Sequence, residues 1–405
     1  MLAEVVTTGT ELTRGDLRDT NAAHVAASLT EHGLVVTRFS TVDDDPARIV
    51  DVLRAAGERA DVVVVTGGLG PTSDDLTAAC AARVAGVPLV RHAASLDAIR
   101  RRFEAIGLPM TPNNEKQADF PAGSDVLPNP KGTAPGFAMK LGRAQAFFLP
   151  GVPFEMKAML AAEVLPRIAT PEAPPSLLRL RVFGLPEASI DAMLGGVEEA
   201  FPGVVLGYRA TFPEVEVKVQ APSPSLAKAC FAEVQMRLGR HVVALGSNGL
   251  PQAVGEALRG RGWTLAVAES CTGGMIGTLL TDVPGSSDYL LLDVVAYSNA
   301  AKTDILGVSE STIAAHGAVS AEIAIAMAEG VRARAGSTLG VSTTGIAGPG
   351  GGTEAKPVGL IHLAVAGPAG VVHKTRTFRG DRDRVRKLAA HAALYQVLET
   401  CREAS

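Results

Sequence analysis

A-E-S-C-T-G-G, residues Ala268–Gly274, is the stretch that decides the fold of the carboxyl-terminal half. It follows the apolar run Trp263–Val267, which predicts a buried strand, and its two glycines open a helical segment, Met275–Leu280. A strand that turns into a helix in this way leaves hydroxyls and free amides where α/β proteins hold anions and oxyanions. Ser270 is therefore the first candidate nucleophile, although Ser270 or Thr272 could instead cap the helix.

The next strand offers a candidate base. Residues Val294–Lys302 read V-V-A-Y-S-N-A-A-K, which predicts an apolar strand that ends at Tyr297, with Lys302 just beyond it. Burial near apolar strands lowers the pKa of an amine, because desolvation disfavours the ammonium form. A neutral lysine can accept the proton of a serine hydroxyl, as in known Ser–Lys pairs. The alternative is that Lys302 is a solvated charge at the strand end.

A third segment also ends a strand in polar residues. Leu339–Gly352 reads L-G-V-S-T-T-G-I-A-G-P-G-G-G, so Ser342, Thr343 and Thr344 precede a glycine-rich loop. Such loops let backbone amides approach a phosphate or an oxyanion closely. Open parallel sheets bind ligands at the carboxyl ends of their strands, and the three polar strand ends therefore predict one shared site.

Six motifs in this half occur in a recognisable order: A-E-S-C-T-G-G, V-A-Y-S-N-x-x-K, H-G-A-V-S, T-G-I-A-G-P-G-G-G, K-P-V-G and G-D-R-x-x-V-R. Together they resemble the nicotinamide mononucleotide deamidase domain, and the whole chain resembles the CinA (competence/damage-inducible protein A) family. The resemblance implies an amidase without a cofactor, in which Lys302 takes the proton of Ser270 and Ser270 attacks the carboxamide. Tyr297 and Thr344 would orient the lysine or the amide.

The resemblance also implies a binding site for the nucleotide, with Arg382 and the glycine loop on the 5′-phosphate. Backbone amides from Cys271 to Gly274, or that of Gly345, would receive the oxyanion. Cys271 is a rival nucleophile, because thiolates attack more readily than alkoxides, but the 32-residue spacing from Ser270 to Lys302 matches the family and favours the serine. The substrate-binding residues implied are Thr272, Gly273, Gly274, Asn299, Gly345, Gly348, Arg382 and Arg386.

Composition bounds the class of protein. The chain has 405 residues, enough for two or three domains, with 47% hydrophobic and 20% charged residues. A net charge of -4 argues against direct binding to nucleic acid or a membrane. The four cysteines are far apart, which predicts neither a zinc site nor a disulfide framework and suggests a cytoplasmic location. We recognise no secretion signal and no apolar stretch long enough to span a bilayer.

Strand and helix patterns alternate over residues 1–167, which predicts a doubly wound α/β domain. A buried strand, Asp61–Val65, leads into the loop Thr66–Asp75, which reads T-G-G-L-G-P-T-S-D-D. Asp74 or Asp75 could cap the helix that follows, or could hold a hydrated divalent cation against a phosphate. The residues alone leave both readings open.

This first domain resembles the MoaB/MogA-like molybdopterin-binding fold through G-T-E-L, T-N, the T-G-G-L-G-P-T-S-D-D loop, K-G-T-A-P-G and L-P-G-V-P-x-E. In the CinA family the domain is associated with metal-dependent hydrolysis of the pyrophosphate in ADP-ribose. Asp44 and Asp45 are additional acidic candidates, although an acidic turn before a helix that starts with proline is common. The resemblance implies a divalent metal at Asp74 and Asp75 and nucleotide-binding residues Thr66, Gly67, Gly68, Gly70 and Asp75.

A linker, Pro171–Pro175, opens a small α+β domain over residues 171–246 that resembles a KH-like module. Glu214–Val219 alternates charge and valine, so one face of that strand should be buried and the other solvated. The domain has neither a G-x-x-G loop nor a basic stripe, which favours a spacer or a homodimer contact over nucleic-acid binding. The α/β deamidase-like domain then covers residues 249–405.

A second class of function remains open at this point. The protein could bind a pyridine nucleotide, or a molybdopterin-like compound, without turning it over, and could act as a regulator in competence or the DNA damage response. Release of ammonia from nicotinamide mononucleotide would separate the enzyme from such a sensor.

Overall fold

The computed structural model describes residues 1–169 and 176–403, which form two compact units. The first unit lies before this gap and the second begins at Ser176. The predicted linker Pro171–Pro175 lies outside the described residues. The predicted boundary between residues 246 and 249 lies within the second unit, so the division into three domains stays a prediction.

The described residues of the first unit, 1–169, form eight strands and six α-helices. The strands are β1 (Leu2–Thr8), β2 (Val35–Val42), β3 (Val62–Thr66), β4 (Leu89–Arg91), β5 (Asp119–Pro121), β6 (Asp125–Leu127), β7 (Gly136–Leu141) and β8 (Ala144–Leu149). The helices are α1 (Thr10–Thr13), α2 (Thr20–Glu31), α3 (Pro46–Arg59), α4 (Thr77–Ala85), α5 (Ala93–Ala105) and α6 (Pro153–Met159), with short 3₁₀ or π segments at Pro112–Ala118, Leu160–Val164 and Leu165–Arg167.

Six of these strands form one sheet in the order β2-β1-β3-β8-β7-β6. Strands β2, β1, β3 and β8 are parallel to one another, β7 is antiparallel to β8, and β6 is antiparallel to β7. Helices cover both faces of this sheet, and the run of valines in β3 is consistent with that burial. Val63 and Val65 pack in one apolar cluster with residues of α3 and α4, whereas Val62 and Val64 pack in another with residues of α2. Because strand side chains alternate between faces, the predicted doubly wound α/β class is confirmed.

In the second unit, residues 176–403 are described and form nine strands and nine α-helices. The strands are β9 (Ser176–Val182), β10 (Val205–Thr211), β11 (Glu214–Ala221), β12 (Val242–Leu245), β13 (Leu265–Glu269), β14 (Leu290–Val295), β15 (Leu339–Gly345), β16 (Leu360–Gly367) and β17 (Gly370–Thr377). The helices are α7 (Glu187–Leu194), α8 (Val197–Ala200), α9 (Pro224–Leu238), α10 (Leu250–Arg261), α11 (Met275–Thr281), α12 (Asn299–Leu306), α13 (Glu310–His316), α14 (Ala321–Ala335) and α15 (Arg382–Glu403), with 3₁₀ turns at Gly239–His241 and Ser286–Asp288.

Strands β9 to β12 form an antiparallel sheet in the order β10-β11-β9-β12, as expected for a small α+β module. The prediction that the charged face of β11 is solvated was wrong, because Glu214 and Glu216 are both buried. Glu216 lies opposite Arg181 of β9 and pairs with that guanidinium at 3.3 Å. Glu214 accepts a hydrogen bond from the amide of Leu250 at the start of α10. Neighbouring elements therefore cover this face.

The other sheet of this unit has the order β14-β13-β15-β16-β17, in which β13 is parallel to both of its neighbours and β15, β16 and β17 are antiparallel. Val267 packs against residues of α10 and α15, whereas Ala266 and Ala268 pack against residues of α14. The carboxyl ends of β13 and β15 and of the edge strand β14 therefore lie side by side at one end of the sheet. Within the described residues, no helix is both long and apolar enough to cross a bilayer.

Candidate active site

Ser270 and Lys302 lie next to each other at this edge of the sheet. Strand β13 ends at Glu269, and the amide of Ser270 donates to the carbonyl oxygen of Thr343 on β15 at 3.0 Å. Lys302 Nζ lies 3.2 Å from Ser270 Oγ. Lys302 is only 1% exposed and Ser270 9% exposed. The interpretation of Lys302 as a solvated charge was therefore wrong: β14 ends at Val295, and the lysine points inward from α12.

The surroundings of the Lys302 amine favour its neutral form. Besides Ser270 Oγ, Nζ contacts the carbonyl oxygens of Ala296 at 2.9 Å and Tyr297 at 3.3 Å, so its three partners are uncharged oxygens. Burial lowers the pKa of Lys302 below its usual 10.5, with a smaller opposing effect from Cys271. A neutral amine has two N–H groups and one lone pair. The two carbonyls can accept the N–H groups, which leaves the lone pair for the serine hydroxyl.

Cys271 has the opposite environment. Its thiol is buried and packs in the apolar cluster formed by α10, α11 and α15. Burial raises the pKa of the Cys271 thiol to about 12. Because the thiolate is the nucleophilic form of cysteine, this environment suppresses its reactivity at neutral pH. The local chemistry therefore favours Ser270 over Cys271 as the attacking group.

Two acidic residues near the Ser270 turn, the buried Glu269 and the half-buried Asp293, were missed by sequence reasoning. The carboxylate of Glu269 accepts hydrogen bonds from the amides of Gly274 at 3.0 Å and Gly277 at 2.9 Å, and so holds the turn after β13. On the adjacent strand, burial and the charge of Glu269 raise the pKa of Asp293 to about 7. The sequence did contain a signal for Glu269, because this glutamate lies in a buried strand just before two glycines. A buried carboxylate needs hydrogen-bond donors, and the backbone amides of the following turn supply them.

This use of Glu269 narrows the predicted oxyanion site. The amide of Gly274 already donates to Glu269, so that part of the predicted set was wrong. Among the described residues, the amides of Thr272 and Gly273 donate to no other group. Gly273 has a φ of 60°, a left-handed conformation that favours glycine. These two amides are therefore available to an oxyanion in this turn.

The start of α15 connects the loops around the site. Arg382 donates to the carbonyl oxygen of Gly348 at 2.7 Å and to the Tyr297 hydroxyl at 3.1 Å. Arg386 donates to the carbonyl oxygen of Thr272 at 2.7 Å. The fold therefore brings the two predicted arginines together with three of the predicted loops, although each guanidinium already has a protein partner.

Two other predicted residues, Tyr297 and Thr344, have contacts that differ from those expected. The Tyr297 ring is 61% exposed, and its backbone carbonyl rather than its hydroxyl contacts Lys302. The Thr344 hydroxyl donates to the carbonyl oxygen of Ala318 at 2.7 Å, so Thr344 fastens the loop before α14 instead of orienting the lysine. Gly345 is the last residue of β15, and Asn299 is the exposed first residue of α12.

The first unit contains a cavity of about 430 Å³ at the carboxyl ends of β1 and β3. Gly67, Gly68, Gly70, Asp74 and Asp75 all line it, and their assignment to a nucleotide site stays a prediction. Gly67 has a φ of 108°, and a Cβ there would lie 2.3 Å from the carbonyl oxygen of Thr8, so no other residue fits. This close packing is a structural reason for the glycine that the sequence pattern did not reveal.

Thr66 does not line this cavity, and its predicted contact with a nucleotide was wrong. Its hydroxyl is buried and donates to the carbonyl oxygen of Pro150 at 2.8 Å. Asp75 accepts hydrogen bonds from the amide and hydroxyl of Thr72, so it closes its own turn. Neither Asp74 nor Asp75 caps α4, whose N-cap residue is Leu76. Asp44 accepts from Thr10 in the same cavity.

The acidic residues of the cavity are candidate metal ligands. Glu11, Asp44, Asp74, Asp75 and Glu155 line it, but within the described residues no three such side chains converge on a metal position. The nearby Thr72 side chain makes the largest contribution to lowering the pKa of Asp74, which keeps this carboxyl ionised. Mg²⁺ commonly binds one or two carboxylates and completes its shell with water and substrate phosphates. The residues fit a cation of that kind, held jointly with a phosphate.

Each half of the chain matches a known protein family. A sequence profile described as the CinA C-terminal domain matches residues 247–401, and one described as a probable molybdopterin binding domain matches residues 4–170. A CinA-like protein of Anaeromyxobacter dehalogenans is 47% identical over 97% of this chain and 98% of its own length. A CinA-like protein of Myxococcus xanthus is 46% identical over 97% of each chain.

A solved structure of CinA from Thermoplasma acidophilum, described as of unknown function, is 40% identical over 40% of this chain and 94% of that chain, with a TM-score of 0.38. The full-length relatives share nearly half of their residues with this chain over almost its whole length. The family expected from the motifs is thereby confirmed. The chain belongs to the family of CinA-like proteins and carries a molybdopterin-binding-like domain in its amino-terminal half.

Proposed function

We propose that the carboxyl-terminal half is an amidohydrolase that converts nicotinamide mononucleotide to nicotinic acid mononucleotide and ammonia. One observation carries the proposal: a buried amine has two carbonyl acceptors for its N–H groups, and its remaining position faces Ser270 Oγ at 3.2 Å. This arrangement suits a neutral lysine that removes a proton from serine. The substrate itself follows from the deamidase motifs rather than from the geometry.

In the proposed reaction, Lys302 takes the proton of Ser270 as the serine oxygen attacks the carboxamide carbon. The new C–O bond places negative charge on the former carbonyl oxygen, which the amides of Thr272 and Gly273 would receive. Collapse of this intermediate breaks the C–N bond, and the protonated Lys302 gives its proton to the departing ammonia. Water then attacks the acyl-enzyme, its proton passes to Lys302 and on to Ser270, and the carboxylate product leaves.

Glu269 would keep the turn in shape during these steps. It occupies the amides of Gly274 and Gly277 and so leaves the preceding two amides to the substrate. Arg382 would bind the 5′-phosphate after exchanging its contact with the Tyr297 hydroxyl, because guanidinium groups bind phosphate in a bidentate manner. Tyr297 is the exposed residue that would cover the pyridine ring.

Ammonia release from nicotinamide mononucleotide tests this function. Ser270→Ala should reduce turnover to near the detection limit, whereas Cys271→Ala should retain most of it if the protein remains folded. The reverse outcome would assign the nucleophile to Cys271. Binding of the nucleotide by wild-type protein without any release of ammonia would support the sensor class and exclude the enzyme.

We also propose that the amino-terminal half hydrolyses the pyrophosphate of ADP-ribose with a divalent cation. The supporting observation is the 430 Å³ cavity, in which the glycine loop and five carboxylates lie together. Asp74 and Asp75 would hold the cation, which when bound would neutralise charge on the pyrophosphate. The chain itself supplies the enclosing glycine loop and orients Asp75 through the hydrogen bonds from Thr72.

Formation of AMP from ADP-ribose, measured with and without Mg²⁺, tests this second activity. Asp74→Asn should lower the rate by ~10- to 100-fold if the carboxylate helps to hold the cation, in line with the effects of removing metal-supporting groups. Asp51→Asn is a matched control, since Asp51 is exposed on α3 and does not line the cavity. Equal rates for the two variants would remove the loop from the mechanism.

A further inference from the structure

The carboxyl-terminal unit contains a cavity that takes no part in the reactions proposed above. It measures about 560 Å³, within the ~300–1,000 Å³ range of small-molecule sites. It lies between the β9–β12 sheet on one side and β16, β17 and α15 on the other. Ser270 and Lys302 are not among its lining residues. Arg384 reaches this cavity, whereas Arg382 and Arg386 of the same turn contact the active-site loops.

Aromatic side chains form much of the wall. Phe183 and Tyr395 lie with their ring centroids 5.6 Å apart, and Phe378 lines the same space. Phe212, in the turn between β10 and β11, is 42% exposed, and the Arg384 guanidinium lies 4.4 Å from its ring centroid. Exposed aromatic faces at a concave surface favour a flat, apolar ligand, because stacked rings add to the energy of simple burial.

The charged groups of the wall leave an excess of positive charge. Lys374 is neutralised by Glu399 at 2.5 Å, and Glu214 is turned toward the amide of Leu250. Glu187 is an exposed acid at the rim. Arg376 and Arg384 also line the cavity, and neither forms an ion pair with a carboxylate in the described part of the chain. Arg240 lines it as well and, together with Lys374, lowers the pKa of Glu399. Guanidinium groups without a carboxylate are the usual partners of a phosphate or a carboxylate ligand.

We propose that this cavity binds a small planar aromatic anion, in which a ring carries a phosphate or carboxylate group. The ring stacks against Phe212 and the aromatic wall, and the anionic group meets Arg384 and Arg240. The site is distinct from both proposed catalytic sites, because its lining residues include neither the Ser270 turn nor the Asp74–Asp75 loop. The inference therefore does not depend on either proposed activity.

Photolabelling of the full-length protein locates the site directly. The probe is 8-azidoadenosine 5′-monophosphate, and mass spectrometry identifies the labelled peptides. We expect label in the peptides that contain Phe212 or Tyr395. AMP should suppress this label at least ~10-fold more effectively than adenosine, because the charge-assisted hydrogen bonds of the phosphate are each worth ~1.5–3 kcal/mol. Nicotinate serves as the second competitor: competition equal to that of AMP would identify a carboxylate ligand, and weaker competition a phosphate ligand.

Variants connect the label to the wall residues. Arg384→Gln and Phe212→Leu should each reduce label in these two peptides by ~10-fold or more, in line with the loss of one charged or stacked contact. Arg379→Gln is the matched control, since Arg379 is exposed but does not line the cavity. Unchanged thermal midpoints show that the variants are folded. The proposal is overturned by label confined to other peptides, by equal labelling of Arg384→Gln and Arg379→Gln, or by adenosine competing as well as AMP.

Discussion

Replacement of Lys302 by methionine is the sharpest test of the proposed chemistry. Methionine is close to lysine in length and is apolar, so it fills the buried space while removing the amine. The change deletes three contacts of Nζ: with Ser270 Oγ at 3.2 Å, with the Ala296 carbonyl at 2.9 Å and with the Tyr297 carbonyl at 3.3 Å. No other lysine contacts Ser270 in the described residues.

The expected loss of activity follows from the role of the amine, which is the only base in contact with Ser270 among the residues that the structure describes. Removal of a positioned general base lowers kcat by ~10²- to 10⁴-fold, which corresponds to ~2.7–5.5 kcal/mol in the activation free energy. The KM for nicotinamide mononucleotide should change little, because the three contacts of the amine are all with protein oxygens. A split of this kind between kcat and KM distinguishes lost chemistry from lost binding.

The pH dependence provides a second measurement with a defined sign. The pKa of Lys302 is lowered in the folded protein by burial, so between that pKa and the usual 10.5 the unfolded chain binds more protons than the native state. The free energy of unfolding therefore rises with pH across this window, by up to ~1.4 kcal/mol per pH unit. Wild-type activity should rise with pH through the folded pKa, because only the neutral amine accepts the serine proton. Lys302→Met should lose both dependences.

Two matched measurements complete the test: ammonia release between pH 6 and 10, and urea unfolding over the same range. Two carbonyls lose their donor in Lys302→Met, at ~1–3 kcal/mol each, but the cost of burying an amine also disappears. The control is Lys228→Met, because Lys228 is exposed on α9. Retention of more than a tenth of wild-type kcat by Lys302→Met, or an unchanged pH profile, would refute the reasoning.

Four further predictions concern the surroundings of the site. Glu269→Gln should lower kcat by ~10-fold or more in the ammonia assay, because it weakens the acceptors of two turn amides, and near wild-type turnover would contradict this. Gly277→Ala should lower the free energy of unfolding, measured in urea, by ~1–3 kcal/mol, because the new Cβ would lie 1.9 Å from Asp293 Oδ2. The control is Gly260→Ala in α10, which should not lower it, because a Cβ there would meet no other atom. Because the pKa of Asp293 is raised from 3.8 to about 7, native stability should decrease as pH rises between these values, and Asp293→Asn should flatten the urea-midpoint profile. Cys271, with a thiol pKa of about 12, should resist iodoacetamide at pH 8 in the native protein, and rapid alkylation would show that the thiol is accessible.

Much of the fold could be predicted because its signals are local. The four consecutive valines Val62–Val65 predict a strand buried on both faces, and the structure places alternate valines in two separate clusters. Proline at Pro46 and the preceding Asp45 predict the start of α3, where the Asp45 side chain accepts from the first free amides. Such features depend on residues within a few positions of each other, and that is why sequence alone captures them.

The partners of the buried polar side chains could not be read in the same way. The alternation of charge and valine in β11 correctly predicts an apolar face, but Glu216 is covered by Arg181, from a strand 35 residues earlier in the chain. Likewise, the Thr344 hydroxyl donates a hydrogen bond to the carbonyl oxygen of Ala318, and the Thr66 hydroxyl donates one to the carbonyl oxygen of Pro150. A polar residue at a strand end predicts that some partner exists, but the tertiary fold decides which one.

By itself, the sequence determined the family, the α/β class and the identity of the two residues on which the proposed chemistry rests. Only the tertiary structure decided that the Lys302 amine is buried among neutral oxygens, that Cys271 is held as a thiol, and that Glu269 occupies amides beside Ser270. The physical reason is that motif and strand pattern are properties of neighbouring residues, whereas desolvation and hydrogen-bond partnership depend on groups that folding brings together from distant parts of the chain.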